Sequence, residues 1–449
     1  MTLQASPSAA SDLKRELGLF DATMINVGTM IASAIFIVPA AVAAAVPGTA
    51  MMTLVWVIGG IVSLLGALSI AELAAAYPEA GGQYAYLREA YGPMIAFLYG
   101  WANFAVINTA SIAAIAVGFA RYVGFFSHNP FTEVTIRGIA ILSIVALTIL
   151  NCRGVRLGAT TQNVLTTLKI GALGALIVTS FVLPGGAASH FQPLWPTATL
   201  GQWLGPFGVA MVAVLWAYDG WIETTYIGSE IIDPGRNMPR SIILSTLIVI
   251  ALYVLASVAY TYVLSPAAMV GSQLVASDAA KITMGAFGAS FVVIAILVST
   301  LGANNGIVLT AARIPYAMAR AGVFFRAQGA VHTRYGTPTV ALVTQGVIAS
   351  VLTALGTYDQ LFTYVVFAQF VFYALSAGAV IRLRTTKPQV PRPYRTWGYP
   401  LTPVVFIAFA VWLVFNTIKE TPVDSAVGAG IILVGLPGYF YWRRAGVGR

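Results

Sequence analysis

The chain is short of charge, cysteine and histidine, and each shortage excludes something. Only 9% of its 449 residues are Asp, Glu, Lys or Arg, against about a quarter in an ordinary soluble domain, so water is not its main solvent. A single cysteine, Cys152, rules out a structural disulfide within the chain; it falls in the expected loop after the fourth apolar block. His128, His190 and His332 all lie between apolar blocks, and there is no H-E-x-x-H pair, no G-x-S-x-G elbow and no phosphate-binding P-loop. Hydrolytic zinc, serine and nucleotide chemistries thereby lose their usual carriers, and no metal or cofactor is expected. The strict polar and apolar alternation of a membrane barrel is missing as well.

What is present is apolar and continuous. Apolar residues make up 58% of the chain, the mean hydropathy is +0.83, and they collect into blocks close to or longer than the ~20 residues a helix needs to cross a bilayer. Twelve such blocks run approximately over 19–46, 50–76, 93–124, 134–150, 157–183, 204–230, 241–264, 286–312, 338–356, 360–381, 400–418 and 423–442. The expected fold class is an all-α, polytopic membrane protein with twelve transmembrane helices. The first block is too long for a signal-peptide core and has no cleavage pattern, so it is expected to be retained.

Lys and Arg give the orientation, because cytoplasmic loops are enriched in them. With the N-terminus inside, only Arg121, Arg137, Lys281 and Lys419 lie outside and Lys169 lies on neither side. The remaining basic residues all fall inside. The formal charge of +9 then follows from topology and from anionic lipid at the inner leaflet, not from nucleic acid. The expected location is a bacterial-type inner membrane, with both termini cytoplasmic.

Five blocks over 19–183 are followed, after an extracellular connection over 184–203, by five over 204–381. An odd number per half forces the second half to insert upside down. A tail precedes them over 1–18, and two further blocks with a C-terminal tail occupy 382–449. Blocks one and six carry small or polar residues at their centres, Gly28 to Ala34 and Ala217 to Gly220. Small residues alone signal close helix packing; matched in the two halves of an inverted repeat, they read as helices broken at mid-membrane around a binding site.

Several segments resemble the L-type amino acid transporter family, within the amino acid, polyamine and organocation superfamily. They are Val27 to Phe36, Pro78-Glu79-Ala80-Gly81-Gly82-Gln83-Tyr84 with Tyr91-Gly92-Pro93, Ala217-Tyr218-Asp219-Gly220-Trp221 with Glu230 and Asn237 to Arg240, Arg313 to Arg320, and Arg392-Pro393-Tyr394-Arg395. The resemblance covers about 17–442. It implies the fold typified by LeuT, ten core helices in a 5+5 inverted arrangement with two peripheral ones. It also implies sodium-independent movement of amino acids, commonly by exchange. The family's G-S-G in block one is Ala32-Ser33-Ala34 here, which adds two methyl groups near the expected substrate and hints at small ones. Animal members join a heavy chain through a cysteine after span three; the segment from His128 to Glu133 has none, so no disulfide-linked heavy chain is expected.

A free amino acid presents a carboxylate and an ammonium. Free N–H groups near Ile31, Ala32, Ser33 and Ala34 suit the carboxylate, and bare carbonyls near Trp216 and Ala217 suit the ammonium. Asp219 either helps hold that ammonium or ties down the broken backbone. By family position Trp216 closes over the substrate, the alternative being packing, and Asn108, Ser111, Thr300, Asn304 and Phe367 supply walls. Lys169 lies about 12 residues into block five, roughly 18 Å deep, too deep to reach water and so expected to have partners inside the bundle. In the family a lysine here resembles a substitute for the sodium ion of sodium-coupled relatives, bonding carbonyls at the break. Tyr253 is its family-like neighbour, bonding the lysine, the substrate or the backbone. A fixed ammonium removes sodium dependence, while exchange and proton-coupled symport both stay open.

Overall fold

The computed structural model describes residues 13–127, 129–195, 200–356 and 358–446, with the side chains of 200–204, 358–367, 420, 424 and 445–446 outside that description. Among the described residues the protein is all helical and no strand forms; two isolated bridges join Leu17 to Ile231 and Ala80 to Ile227.

The first apolar block folds as two helices, α1 (Leu19–Met30) and α2 (Ala34–Ala45), bent by 43° at the break between them. Then come α3 (Thr49–Ala76), a short α4 (Gln83–Tyr91), and α5 (Pro93–Ala102), which runs through a π-helical turn over Asn103–Ile107 into α6 (Asn108–Val123). The first half closes with α7 (Glu133–Cys152) and α8 (Val155–Val182). Cys152 is therefore the last residue of α7 rather than part of a loop.

The second half opens with α9 (Leu200–Ala217), a turn, and the four-residue α10 (Glu223–Tyr226). It continues with α11 (Pro234–Val263), the short α12 (Pro266–Val270) and α13 (Val275–Met284), α14 (Ala286–Ala311), α15 (Arg313–Arg320), α16 (Thr339–Leu355) and α17 (Tyr358–Thr386). Last come α18 (Leu401–Glu420) and α19 (Pro422–Gly446). Proline stands at the first turn of α5, α11 and α12, where its missing N–H is not needed and its fixed φ favours the helix.

Among the described residues eight helical stretches are long and apolar enough to cross a bilayer, and the bent α1–α2 pair makes a ninth. The blocks expected over 204–230 and 338–356 are built on shorter apolar helices, Gly205–Ala217 and Thr339–Leu355. The block over 360–381 lies within α17, part of whose side chains lie outside the description. Large apolar side chains face outward along the bundle, Leu142, Phe287 and Phe415 each more than 60% exposed. Such a surface is a liability in water and is at home against lipid tails.

Earlier helices pack on later ones: α3 on α11, α6 on α14, α7 on α16 and α2 on α9. The interior is polar where these meet. At one end of the bundle Arg313 and Glu230, both fully buried, form a two-pronged ion pair, with Nε to Oε1 at 2.7 Å and the second nitrogen to Oε2 at 2.9 Å. Glu230 also accepts, through its carbonyl, the N–H groups of Glu16 at 2.9 Å and Leu17 at 3.1 Å, while Ile232 donates back to Leu17 at 2.9 Å. The segment before α1 is thus stitched to the segment before α11.

Breaking a buried pair strands a charge in low dielectric, which costs about 3–5 kcal/mol, whereas replacing both partners by apolar residues is often neutral. Arg313→Met should therefore lower the melting temperature in detergent sharply, and adding Glu230→Met should restore most of it. Equal melting of the single variant and the wild type would contradict this account of the pair.

Candidate functional site

The helix break in α1–α2 is built by withdrawing backbone groups from the helical ladder and pairing each elsewhere, because an unpaired buried carbonyl costs about 1–3 kcal/mol. Lys169, at the middle of α8 and 1% exposed, supplies the main partner. Its Nζ donates to the carbonyls of Gly28, Ile31 and Ser299, each at 2.8 Å, using all three ammonium hydrogens. The Ser299 hydroxyl, on α14, lies 2.8 Å from the Ile31 carbonyl and 3.0 Å from that of Ala32. The fully buried Tyr253 hydroxyl donates to the Met30 carbonyl at 2.8 Å. Of the three partners open to Tyr253, it takes the backbone.

The turn after α9 is tied to the bend between α1 and α2. The α9 helix stops at Ala217, and the chain turns through Gly220, whose φ is +111°. A Cβ on Gly220 would stand 3.0 Å from the Met30 nitrogen and from the Thr29 carbonyl carbon, so the two broken backbones touch and only glycine fits. The Thr29 hydroxyl lies 3.0 Å from the Gly220 carbonyl, and Thr224 N–H donates to Asn26 Oδ1 at 2.9 Å. The Trp216 carbonyl, expected to be bare, accepts from Asp219 N–H at 3.1 Å.

Between the two breaks lies a cavity of about 90 Å³. Of the residues singled out in the sequence, Ala32, Ser33, Ala34, Asn108, Ser111, Trp216 and Asp219 line it. Ser33 and Ala34 bring the amino end of α2 to the cavity, where Phe36 N–H turns back to the Ser33 carbonyl at 3.1 Å and the helix-start amides ahead of it have no helical acceptor. Asn108 follows the π-helical turn and donates to Asn103 Oδ1 at 3.1 Å, and Ser111 donates to the Ile107 carbonyl at 2.7 Å.

The rest stand off the wall. Ile31 presents its carbonyl to Lys169, Ala217 is buried at the end of α9, and Thr300 bonds the Ile296 carbonyl of its own helix at 2.8 Å. Asn304 donates to the Ile112 carbonyl at 3.3 Å, holding α14 to α6. Phe367 has its side chain outside the described residues.

Asp219 lines the cavity but is held from behind: Tyr373 donates to its Oδ1 at 2.6 Å and Gln369 to its Oδ2 at 2.9 Å, both from α17. Sequence reasoning missed Gln369 and Tyr373, which lie about 150 positions away, as well as Ser299 and the cavity residue Glu223, whereas Thr29, Met30 and Gly220 belong to the two clusters of small residues it read as breaks. Glu223 alone carried a readable signal, since it is an acid inside an apolar block, the same reasoning that singles out Lys169.

The amino acid permease family profile matches residues 17–440. The chain belongs to that family. It is 33% identical to human b(0,+)-type amino acid transporter 1 over 98% of this chain and 90% of that protein. It is 31% identical to human large neutral amino acids transporter small subunit 2, over 98% and 84% respectively, and 32% to the mouse counterpart over 96% and 82%. The resemblance read from the motifs extends along nearly the whole permease, and the apolar helices are those of a polytopic membrane protein.

In this permease Gly220→Ala places a methyl group against backbone and forces an L-residue to a positive φ, which costs on the order of 1–2 kcal/mol before any clash. The variant should melt lower and lose ligand-induced thermal stabilisation, read by fluorescence-detected unfolding. Wild-type stabilisation by ligand in Gly220→Ala would show that the two breaks need not touch.

Proposed function

We propose that this permease moves amino acids across the inner membrane by alternating access, without sodium, as an exchanger of small neutral L-amino acids. The observation that carries the reading is the cavity itself, which has helix-start amides of α2 on one wall and Asp219 on the other. Its ends suit a carboxylate and an ammonium at the two poles of one small molecule. The volume agrees: with ~10–15 Å³ needed per water on the same measure, about 90 Å³ holds on the order of six to nine heavy atoms. An amino acid such as alanine has that size. The relatives named above support amino acids as the class.

Twelve transmembrane helices in a 5+5 inverted repeat fit the packing of α2, α3, α6 and α7 on their counterparts α9, α11, α14 and α16, as a two-fold axis in the membrane plane requires. The distribution of Lys and Arg supports cytoplasmic termini. The end of the bundle closed by the Arg313–Glu230 pair is then the cytoplasmic one. A disulfide-linked heavy chain is not expected, since Cys152 lies at the far end of α7 from the segment joining α6 to α7.

Lys169 stands where a coupling cation would have to bind, and a tethered charge is neither released nor rebound. Purified protein in liposomes should therefore exchange labelled L-alanine equally well in sodium and in choline media. Lys169→Ala removes the ammonium donor from the Gly28 and Ile31 carbonyls at the break and should reduce exchange by about tenfold or more, the equivalent of at least ~1.4 kcal/mol. Strict sodium dependence, or full exchange by Lys169→Ala, would overturn the reading. Proton-coupled symport, the second reading, predicts concentrative uptake into empty vesicles under an inward proton gradient.

A further inference from the structure

Glu223 has no role in the account so far, yet it is a buried acid in the wall of the substrate cavity. It is 5% exposed and lines the cavity together with Asp219. No basic side chain lines that cavity among the described residues, so two carboxyl groups face one small space.

The surroundings of Glu223 contain no cation aimed at it. From α14 it meets the neutral Thr310, and it shares the cavity wall with the neutral Thr29 of α1 and Ile307 of α14. Asp219 on the preceding turn, Tyr226 on its own helix, Tyr99 on α5 and Tyr373 on α17 are near enough to feel its charge. The first turns of α11 carry Arg236 and Arg240, both exposed, while Tyr253 further along is bound to Met30. Arg313, beyond α14, is paired with Glu230, Arg88 on α4 with Glu79 and Glu89, and Lys169 has its three hydrogens on carbonyls.

Among the described residues the hydrogen-bond contact of the Glu223 carboxyl is the Thr310 hydroxyl, which also lies 3.0 Å from the Gly306 carbonyl of its own helix. One hydroxyl hydrogen cannot serve both acceptors. All three atoms are satisfied when Glu223 carries a proton and donates to Thr310, which in turn donates to Gly306. A bare carboxylate in this setting would be desolvated without a counter-charge, which buried acids avoid by taking up a proton.

We propose that Glu223 is a proton-binding, specificity-determining residue of the substrate cavity, which must be protonated for the cavity to close around a zwitterionic amino acid. The proton comes from external water while the cavity is open to that side. It leaves to internal water when the cavity opens inward, so none is created or consumed. This inference rests on the amino acid reading above.

The test is the KM for external L-alanine in vesicles preloaded with L-alanine, measured from about pH 5 to about pH 9 outside at fixed internal pH. Because only the protonated fraction is competent to close, the wild-type KM should rise by up to about tenfold per pH unit once Glu223 ionises. Glu223→Gln, which cannot ionise, should give a flat KM across the range, and Glu223→Asp should restore a dependence. A flat wild-type profile overturns the proposal. So does a Glu223→Gln profile that runs parallel to the wild type, since a merely structural role, or titration of Asp219, would shift or shape both curves alike. Should no amino acid in a panel of L-alanine, L-leucine and L-lysine exchange at any pH, the transport reading itself fails, an outcome distinguishable from exchange that ignores pH.

Discussion

One ammonium group, Lys169 Nζ, takes the place of helical N–H donors for Gly28 and Ile31 at the point where the first long helix comes apart, and also bonds the Ser299 carbonyl of the continuous α14. Without it the carbonyls of Gly28, Ile31 and Ser299 face one another in a dry interior. Like dipoles so arranged repel, and each lost partner costs about 1–3 kcal/mol. The lysine is tolerable at that depth only because the break supplies its acceptors, and the break only because the lysine supplies its donors. Each is a poor structural choice alone, and together they make a fixed polar centre in an apolar bundle.

The rest of the site is arranged around that centre. Ser299 and Tyr253 close off the remaining carbonyls of the break, at Ala32 and Met30, and Ser33 and Ala34 at the start of α2 line the cavity. Gly220 lets the second break lie directly against the first, and Tyr373 with Gln369 fixes Asp219 at its edge. The arrangement couples the ends of the bundle as well. The segment before α1 is bonded to the one following α10, so a tilt of α1 must disturb the Arg313–Glu230 region. Movement of one broken helix is therefore not independent of the other.

How far this was legible in the sequence depends on the kind of signal. Helix existence is plain because apolar blocks of the right length have few other uses, and even the short block over 134–150 forms the full α7. Lys169 stands out as a lone charge within such a block, and the small residues at 28–34 coincide with the 43° bend between α1 and α2. The partners of those residues were not legible. Ser299 looks like any serine in a membrane helix, and Gln369 and Tyr373 acquire meaning only when α17 is laid against the turn at Asp219. Thr300 and Asn304 were placed on the wall by family position, but each points a turn away, into its own helix or toward α6. A helix has several faces, and block boundaries uncertain by a few residues do not say which one looks inward.

The central claim is that two interrupted helices, held open by Lys169, grip opposite poles of one small dipolar molecule. Its most direct test is a cryo-electron microscopy map of the protein in lipid nanodiscs with saturating L-alanine. The account predicts density for one amino acid between Ser33 and Asp219, its carboxylate on the first amides of α2, with Lys169 Nζ still bonded to the Gly28 and Ile31 carbonyls. A helix running unbroken through residues 19–45, or ligand density elsewhere in the bundle, would contradict it.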